Sequence, residues 1–156
     1  MIKSAVAAGM MCAGAEVLDL GMVPTPVVQH YVKTNKLAGG VMITASHNPP
    51  EYNALKLFNA EGLFFNHYER GELLELYHQS AFTQVSNAEM PGIRFDTETA
   101  PRLHIERVLK HVNVERIRAR RFRVALDGVN GAGSEMSVRF LRDTLNCHLH
   151  AISVSP

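Results

Sequence analysis

The sequence predicts an α/β fold, with a mixed, mostly parallel sheet sandwiched by helices, followed by a truncated second α/β domain. Three observations predict it. Segments with helical spacing alternate with short apolar runs along the chain. Residues 39–44 form an apolar run without polar alternation, which is typical of a strand buried between helices. Residues 122–154 repeat the strand, helix, strand order once more.

The first elements alternate helix and strand. Residues 2–14 combine small and apolar side chains at helical spacing, and residues 16–20 form a short strand. Because the first helix begins at the first residue without a capping signal, we expect further structure upstream. Thr25 and Pro26 provide the next helix start, since threonine caps well and proline suits the first helical turn. This helix is expected to run to about Asn35.

The apolar run 39–44 is expected to be a central strand, buried on both faces. The following segments are predicted as a strand at 54–58, a hairpin return at 63–65, a helix at 68–79, an irregular connector at 80–98 and a helix at 100–112. The helix at 68–79 is expected to turn its apolar side chains inward, namely Leu73, Leu74, Leu76 and Tyr77.

The last part of the chain predicts one further unit. It comprises a strand at 122–126, a glycine-rich turn at 127–133, a helix at 134–145 and a strand at 148–154. One such unit does not bury both of its faces alone, so we expect the second domain to be incomplete. The predicted organisation is a first domain at 1–95, a linker helix at 96–120 and the start of a second domain at 121–156.

Composition excludes several classes of protein. Of 156 residues, 46% are hydrophobic and 20% charged, which excludes disordered, collagenous and disulfide-scaffold classes. The net charge of +1 argues against binding nucleic acid or a membrane through bulk charge. No apolar stretch is long enough to span a bilayer. Cys12 and Cys147 are isolated, which favours a reducing compartment, and we expect a cytoplasmic protein.

The loop after the predicted central strand carries the candidate chemistry. Ser46 and His47 directly follow the strand, and ligands bind at the carboxyl ends of strands in open α/β sheets. Asn48 adds polar groups, and Lys56 on the returning strand has an ammonium that could reach back toward the serine. These residues suit a serine nucleophile with a neighbouring base or a serine that carries a phosphoryl group among cationic groups. A polar turn without chemistry remains a third interpretation.

Other motifs indicate structure rather than chemistry. The turn at 128–133 is interpreted as a tight connection between strand and helix, although its backbone amides could hold an anion. The basic run at 116–123 is interpreted as a solvated linker. His148 and His150 can share one face of a strand, but the sequence offers no third metal ligand beside them.

Three segments together carry a family resemblance. Residues 43–56 read ITASHNPPEYNALK, residues 5–26 contain AVAAG, VLDLG and VPTP, and residues 124–134 read VALDGVNGAGS. They resemble the α-D-phosphohexomutases, which include phosphoglucomutase, phosphomannomutase and phosphoglucosamine mutase. The resemblance implies an N-terminal fragment with most of domain I and the start of domain II.

The resemblance implies specific roles. Ser46 would carry the phosphoryl group exchanged between hexose phosphate and a hexose bisphosphate intermediate, and its phosphoryl oxygen would bind Mg²⁺. Lys56 would act in proton transfer or phosphate stabilisation, and His47 would orient the site or the sugar. Asn48 and Asn53 would position the substrate.

The sequence also departs from the family pattern. Ala54 replaces a common glycine, so the backbone there is expected to avoid positive φ, and the resulting Asn-Ala-Leu-Lys motif favours an amino sugar. Residues 127–130 lack the second and third aspartates of the family's metal loop, so the chain alone is expected to show no turnover. The alternatives are an inactive remnant that binds sugar phosphate or a partner chain, and a serine hydrolase. Glucosamine, glucose and mannose phosphates stay open as substrates, as does the oligomeric state.

Overall fold

The structure is a computed structural model that describes residues 1–49 and 51–156. The helices and strands follow the predicted alternation along most of the chain. In order they are α1 (Ile2–Cys12), β1 (Val17–Asp19), α2 (Thr25–Thr34), β2 (Gly39–Thr44), β3 (Ala54–Asn59), α3 (His67–His78), β4 (Ile93–Phe95), α4 (Thr99–Leu109), α5 (Val114–Arg120), β5 (Arg123–Asp127), α6 (Ser134–Val138), a π-helical segment (Arg139–Thr144) and β6 (His148–Ile152).

Strand pairing confirms the mixed, mostly parallel α/β class. Among the described residues, β1 pairs with β4 and β5 pairs with β6, both in parallel, whereas β2 and β3 form an antiparallel pair. The predicted hairpin return consists of one antiparallel bridge, between Phe58 and Phe64. Each pair forms a separate two-stranded sheet.

The chain divides into two compact units. The first contains Met1–Gly21 and Val28–Asp96, and the second contains Met22–Val27 and Thr97–Pro156. The segment predicted as a linker is folded as α4 and α5 and belongs to the second unit. No helix within the described ranges has both the length and the apolar character required to cross a membrane.

The core of the first unit lies where α2 packs on β2. Phe58, Val28 and Val32 are 1%, 8% and 2% exposed. A Cβ added at Gly40 would lie 2.9 Å from a methyl of Val32 and 3.3 Å from a methyl of Val28, so glycine permits this close approach. The expectation that β2 is buried on both faces is wrong, because all six of its residues are only half-buried. An apolar run indicates burial without showing how many layers cover the strand.

Helix α3 corrects a second expectation. None of its described residues is buried, and Leu73, Leu74, Leu76 and Tyr77 are 41%, 55%, 50% and 73% exposed. Its N-terminus is fixed locally by a capping box in which the Asn66 and Glu69 side chains bond reciprocally to backbone N–H groups. Helical spacing thus predicted the helix correctly but not a partner for its apolar side chains.

Three further differences lie between residues 80 and 145. The predicted connector contains β4, whose three exposed residues give no alternating pattern. Most of the basic run is helical and belongs to α5. This helix is capped at its C-terminus by Arg121, which adopts a left-handed conformation with φ of 44°. The single helix expected at 134–145 changes from α to π geometry at Arg139.

Candidate functional site

A tight turn presents Ser46 beyond the carboxyl end of β2. The backbone N–H of Asn48 donates to the carbonyl of Ala45 at 3.0 Å, which closes the turn. Ser46 adopts φ of 57°, a left-handed conformation that is uncommon for a residue with a side chain. Such backbone conformations cost energy and occur often at functional positions. The side chain of Ser46 is exposed at the end of the strand.

Thr44 stabilises this turn through its side chain. Its hydroxyl oxygen accepts a hydrogen bond from the backbone N–H of Ser46 at 2.9 Å. Threonine and serine side chains commonly form such local bonds to backbone two residues away, which fixes turns. Thr44 was not among the predicted site residues. The sequence does contain a signal for this role, because a threonine two residues before the candidate serine has the spacing of a side-chain-to-backbone turn.

Ser46 and His47 are brought together. The Ser46 Oγ lies 3.4 Å from the His47 Nδ1, and both side chains are exposed. This separation is longer than the roughly 2.6–3.2 Å of a hydrogen bond along which a proton is transferred, and such contacts often shorten when substrate binds. The two adjacent side chains therefore make a long polar contact in this structure.

Lys56 lies farther from the serine. The β2–β3 register places it opposite Met42, four residues before Ser46. Strand β2 ends at Thr44, and Ser46 lies in the turn beyond it, so Lys56 is not paired with the residues of that turn. The Lys56 Nζ lies 6.0 Å from the centre of the Phe64 ring. The structure therefore does not place the ammonium group against the serine hydroxyl.

Asn48 and Asn53 lie on the two sides of the loop. Asn48 is part of the Ser46 turn, Asn53 directly precedes β3, and both are exposed. Ala54 is the first residue of β3 and is not among the residues with positive φ. This confirms the expectation that the substitution of alanine for glycine requires an ordinary extended backbone there. Pro50 of this loop lies outside the described residues.

The opposite end of β3 is anchored by an asparagine. The Asn59 side chain accepts hydrogen bonds from the backbone N–H groups of Glu61 and Leu63, each at 3.1 Å, and donates to Glu69 at 2.9 Å. The bond from Asn59, followed by that from the Asn66 backbone, lowers the pKa of Glu69. These bonds fix the hairpin that carries Lys56.

The described residues do not form a complete magnesium site. Mg²⁺ prefers an octahedral set of oxygen ligands from carboxylates, phosphates and water. No group of three or more His, Cys, Asp or Glu side chains suited to a metal occurs in residues 1–49 and 51–156. The described part of the serine loop contains no carboxylate cluster.

Comparison with known proteins agrees with this fold and loop. Residues 1–84 match the family model described as phosphoglucomutase/phosphomannomutase, alpha/beta/alpha domain I. The chain therefore belongs to the phosphoglucomutase/phosphomannomutase family. This confirms the resemblance seen in residues 5–26 and 43–56.

Curated relatives are similar over nearly the whole chain. The phosphoglucomutase/phosphomannomutase of Thermococcus kodakarensis is 34% identical over 156 residues, which is 100% of this chain and 34% of the relative. The phosphoglucosamine mutase of Methanocaldococcus jannaschii is 36% identical over 153 residues, which is 98% of this chain and 32% of the relative. The chain thus spans about a third of the length of these relatives.

Solved structures show the same fold. A putative phosphomannomutase from Thermus thermophilus matches with a TM-score of 0.71 and 26% identity, covering 90% of this chain and 31% of that chain. A phosphoglucomutase/phosphomannomutase family protein from Burkholderia thailandensis matches in fold with a TM-score of 0.75 and 22% identity, covering 99% and 33%.

Proposed function

We propose that Ser46 is a phosphoryl carrier that exchanges its phosphate with phosphorylated hexoses. The observation that supports this most is the turn itself. An exposed serine is held at positive φ beyond the end of β2, with its N–H bonded to Thr44. Membership of a mutase family supports the same chemistry. A serine that accepts and returns a phosphoryl group needs access to solvent and a fixed backbone, and this turn supplies both.

The proposed transfer conserves atoms and charge. The Ser46 Oγ attacks the phosphorus of a hexose bisphosphate, and the bond between that phosphorus and the sugar oxygen breaks. The serine hydroxyl proton ends on the released sugar hydroxyl. Phosphoserine and a hexose monophosphate are the products, and the reverse transfer to the other hydroxyl of the sugar interconverts hexose 6-phosphate and hexose 1-phosphate.

The neighbouring residues are assigned complementary roles. His47 orients the serine or the sugar, because its Nδ1 contacts the Ser46 Oγ at 3.4 Å. Asn48 and Asn53 position the substrate from the two sides of the loop. Lys56 stabilises phosphate charge. Since it pairs with Met42 within β2 rather than with the turn that carries Ser46, we assign it to the phosphate that is not being transferred.

Magnesium and the sugar are assigned by family. A phosphoryl group on Ser46 would give Mg²⁺ one oxygen ligand, and the ion would offset the charge on that group. The Asn-Ala-Leu-Lys motif and relatives named phosphoglucosamine mutase favour an amino sugar phosphate. Because the chain covers about a third of such relatives, we propose that it shows no sustained mutase turnover by itself.

Two other functions give different results in one labelling experiment. A serine hydrolase would react with an organophosphonate probe at Ser46, whereas a phosphoryl carrier gains the mass of one phosphoryl group from a hexose bisphosphate. In the described part of the chain, no carboxylate hydrogen-bonds to the His47 ring, as a hydrolase triad would require. An inactive remnant would bind sugar phosphate with no covalent gain.

The experiment measures intact mass after incubation of the chain with glucosamine 1,6-bisphosphate and glucose 1,6-bisphosphate, with Ser46→Ala as control. A gain of one phosphoryl group in the wild-type chain that Ser46→Ala lacks would support the carrier. Labelling by the organophosphonate alone would assign a hydrolase, and binding without mass gain would assign a remnant.

A further inference from the structure

A phenylalanine beside β3 is held in a fixed position. Phe58 and Phe64 form an antiparallel bridge, and their ring centroids are 4.9 Å apart. The residues on either side of Phe64 also bond to the backbone of β3, since the carbonyl of Leu63 accepts at 2.9 Å and the N–H of Phe65 donates at 3.0 Å. Phe58 is 1% exposed. The Phe64 ring is therefore anchored to the core through a fully buried neighbour.

The side chain of Lys56 reaches this ring. Lys56 and Phe58 are two residues apart on β3 and therefore share one face of the strand. Because Phe64 lies opposite Phe58, it is a diagonal neighbour of Lys56, at a spacing that long and aromatic side chains bridge. The Lys56 Nζ lies 6.0 Å from the centre of the Phe64 ring, which is the outer range of a cation–π contact. Strand register and side-chain position thus indicate the same pairing.

An aromatic neighbour leaves the Lys56 ammonium available to an anion. Lys56 forms no ion pair within residues 1–49 and 51–156, whereas Lys33 of the same unit pairs with Glu61 at 3.3 Å. A carboxylate would neutralise the ammonium and accept its N–H donors. An aromatic ring attracts the charge without offering an oxygen acceptor. Lys56 therefore has a fixed neighbour and keeps its donors for a phosphate.

The ammonium also lies on the same side of the strand pair as the support of the serine turn. Thr44 lies opposite Ala54, and Ala54 and Lys56 share a face of β3 because they are two residues apart. The side chains of Thr44 and Lys56 are therefore on one face. The Thr44 hydroxyl on that face accepts the hydrogen bond from the Ser46 N–H.

We propose that Phe64 is a positioning residue, which holds the Lys56 ammonium for the phosphate of the substrate that is not transferred. The inference rests on the proposed function of Ser46 and adds a residue that was not among the predicted site residues. The ring restricts a long and flexible side chain, so less conformational entropy is lost when the phosphate binds. Since Phe64 acts through Lys56, its effect is expected in binding rather than in bond making.

The first measurement tests the contact without relying on phosphoryl transfer. We expect the ring to move the NMR signals of the Lys56 ε-methylene protons upfield, and Lys56→Gln assigns these signals. Phe64→Tyr should keep the upfield position, and Phe64→Leu should abolish it. Signals that Phe64→Leu leaves in place would overturn the proposal. If Phe64→Leu loses the amide dispersion of a folded chain, nuclear Overhauser contacts between the wild-type ring and the ε-methylene protons decide instead.

The second measurement follows phosphoryl uptake by intact mass at increasing concentrations of glucose 1,6-bisphosphate. Phe64→Leu is expected to raise the half-saturating concentration about two- to fivefold, the size of an exposed cation–π contact, with an unchanged maximal rate. Phe64→Tyr should keep the wild-type value. Phe82→Leu changes an exposed phenylalanine elsewhere in the same unit and should have no effect. An unchanged half-saturating concentration in Phe64→Leu would overturn the proposal.

A double-variant cycle separates positioning from a general structural effect. In a Lys56→Gln chain, Phe64→Leu is expected to cause no further change, because the ring then has no ammonium to hold. An equal increase with and without Lys56 would overturn the proposal. If the wild-type chain takes up no phosphoryl group, the proposed function of Ser46 fails, and the Lys56 proton signals alone decide whether Phe64 holds the ammonium.

Discussion

The Thr44 hydroxyl accepts a hydrogen bond from the backbone N–H of Ser46 at 2.9 Å. This single bond ties the end of β2 to the residue proposed to carry phosphate. Because Ser46 is held at φ of 57°, the bond helps to stabilise a backbone conformation that most residues avoid. Thr44 is therefore a positioning residue for the serine.

Thr44→Val is expected to slow the uptake of a phosphoryl group by Ser46 about fivefold, since loss of one such bond costs about 1 kcal/mol. Valine keeps the shape of threonine and removes the acceptor. The rate is measured by intact mass after mixing with hexose 1,6-bisphosphate. Thr44→Ser restores the acceptor and should keep the wild-type rate. A valine variant as fast as the wild type would show that the bond does not position the serine.

Lys56→Gln is expected to raise the concentration of hexose bisphosphate that half-saturates this reaction, while the maximal rate changes little. The reason is that Lys56 is proposed to hold the phosphate that is not transferred, so it contributes binding rather than bond making. Lys36→Gln removes the same charge from an exposed position in the same unit and is the control. A fall confined to the maximal rate would instead indicate proton transfer by Lys56.

Tyr31 makes the first unit sensitive to high pH. Its hydroxyl donates to Asp96, and it is 5% exposed. Burial first, and then the hydrogen bond to Asp96, raise the pKa of Tyr31 to about 12 from 10.0. The folded chain therefore holds this proton more tightly than the unfolded chain. The contribution of this raised pKa to the free energy of unfolding is fully present below about pH 10 and is lost as the pH rises toward about 12.

We expect the free energy of unfolding to fall by about 1 kcal/mol between about pH 9 and pH 11 because of Tyr31. Urea unfolding at both values, compared with Tyr31→Phe, isolates this contribution. The phenylalanine variant lacks the ionisable group and should show a correspondingly smaller fall. Identical pH dependence in the two chains would contradict the assignment.

Gly62 is required in the turn after β3. It has φ of 71°, it is buried, and a Cβ there would collide with the backbone carbonyl of Gln29. Gly62→Ala is expected to lower the free energy of unfolding by about 2 kcal/mol or more, measured by urea unfolding. Gly71→Ala is the matched control, because a Cβ in the middle of α3 meets nothing within 4 Å. That change should be neutral or stabilise by about 0.5–1 kcal/mol.

Local patterns predicted the fold better than they predicted its packing. Helical spacing placed α1 and α2 within two residues of their observed ends, and the apolar run 39–44 coincides with β2. The three-residue strand β4 gave no such signal, because so short and exposed a segment has no periodicity. The leucines of α3 are exposed. Apolar side chains at helical spacing therefore predict a helix face that is suited to burial, but they do not identify the element that would cover it.

The candidate site was predictable only where its residues are close to one another in sequence. Ser46 and His47 directly follow an apolar strand, and this order was enough to predict the turn. The position of Lys56 was not predictable, since it depends on the register of β2 with β3, which spacing along the chain does not fix. Its pairing with Met42 separates it from the serine. The supporting hydroxyl of Thr44 had a local signal and was overlooked.

Phosphopeptide mapping tests the central claim most directly. The tryptic peptide at 37–56 contains Ser46 together with Thr44 and Tyr52 as internal alternatives. We predict that, in the protein isolated from its own cells, this peptide carries a phosphoryl group on Ser46, that hexose monophosphate removes it and that hexose 1,6-bisphosphate restores it. A peptide without phosphate under all three conditions, or one phosphorylated at Thr44 or Tyr52, would contradict the assignment of Ser46 as the carrier.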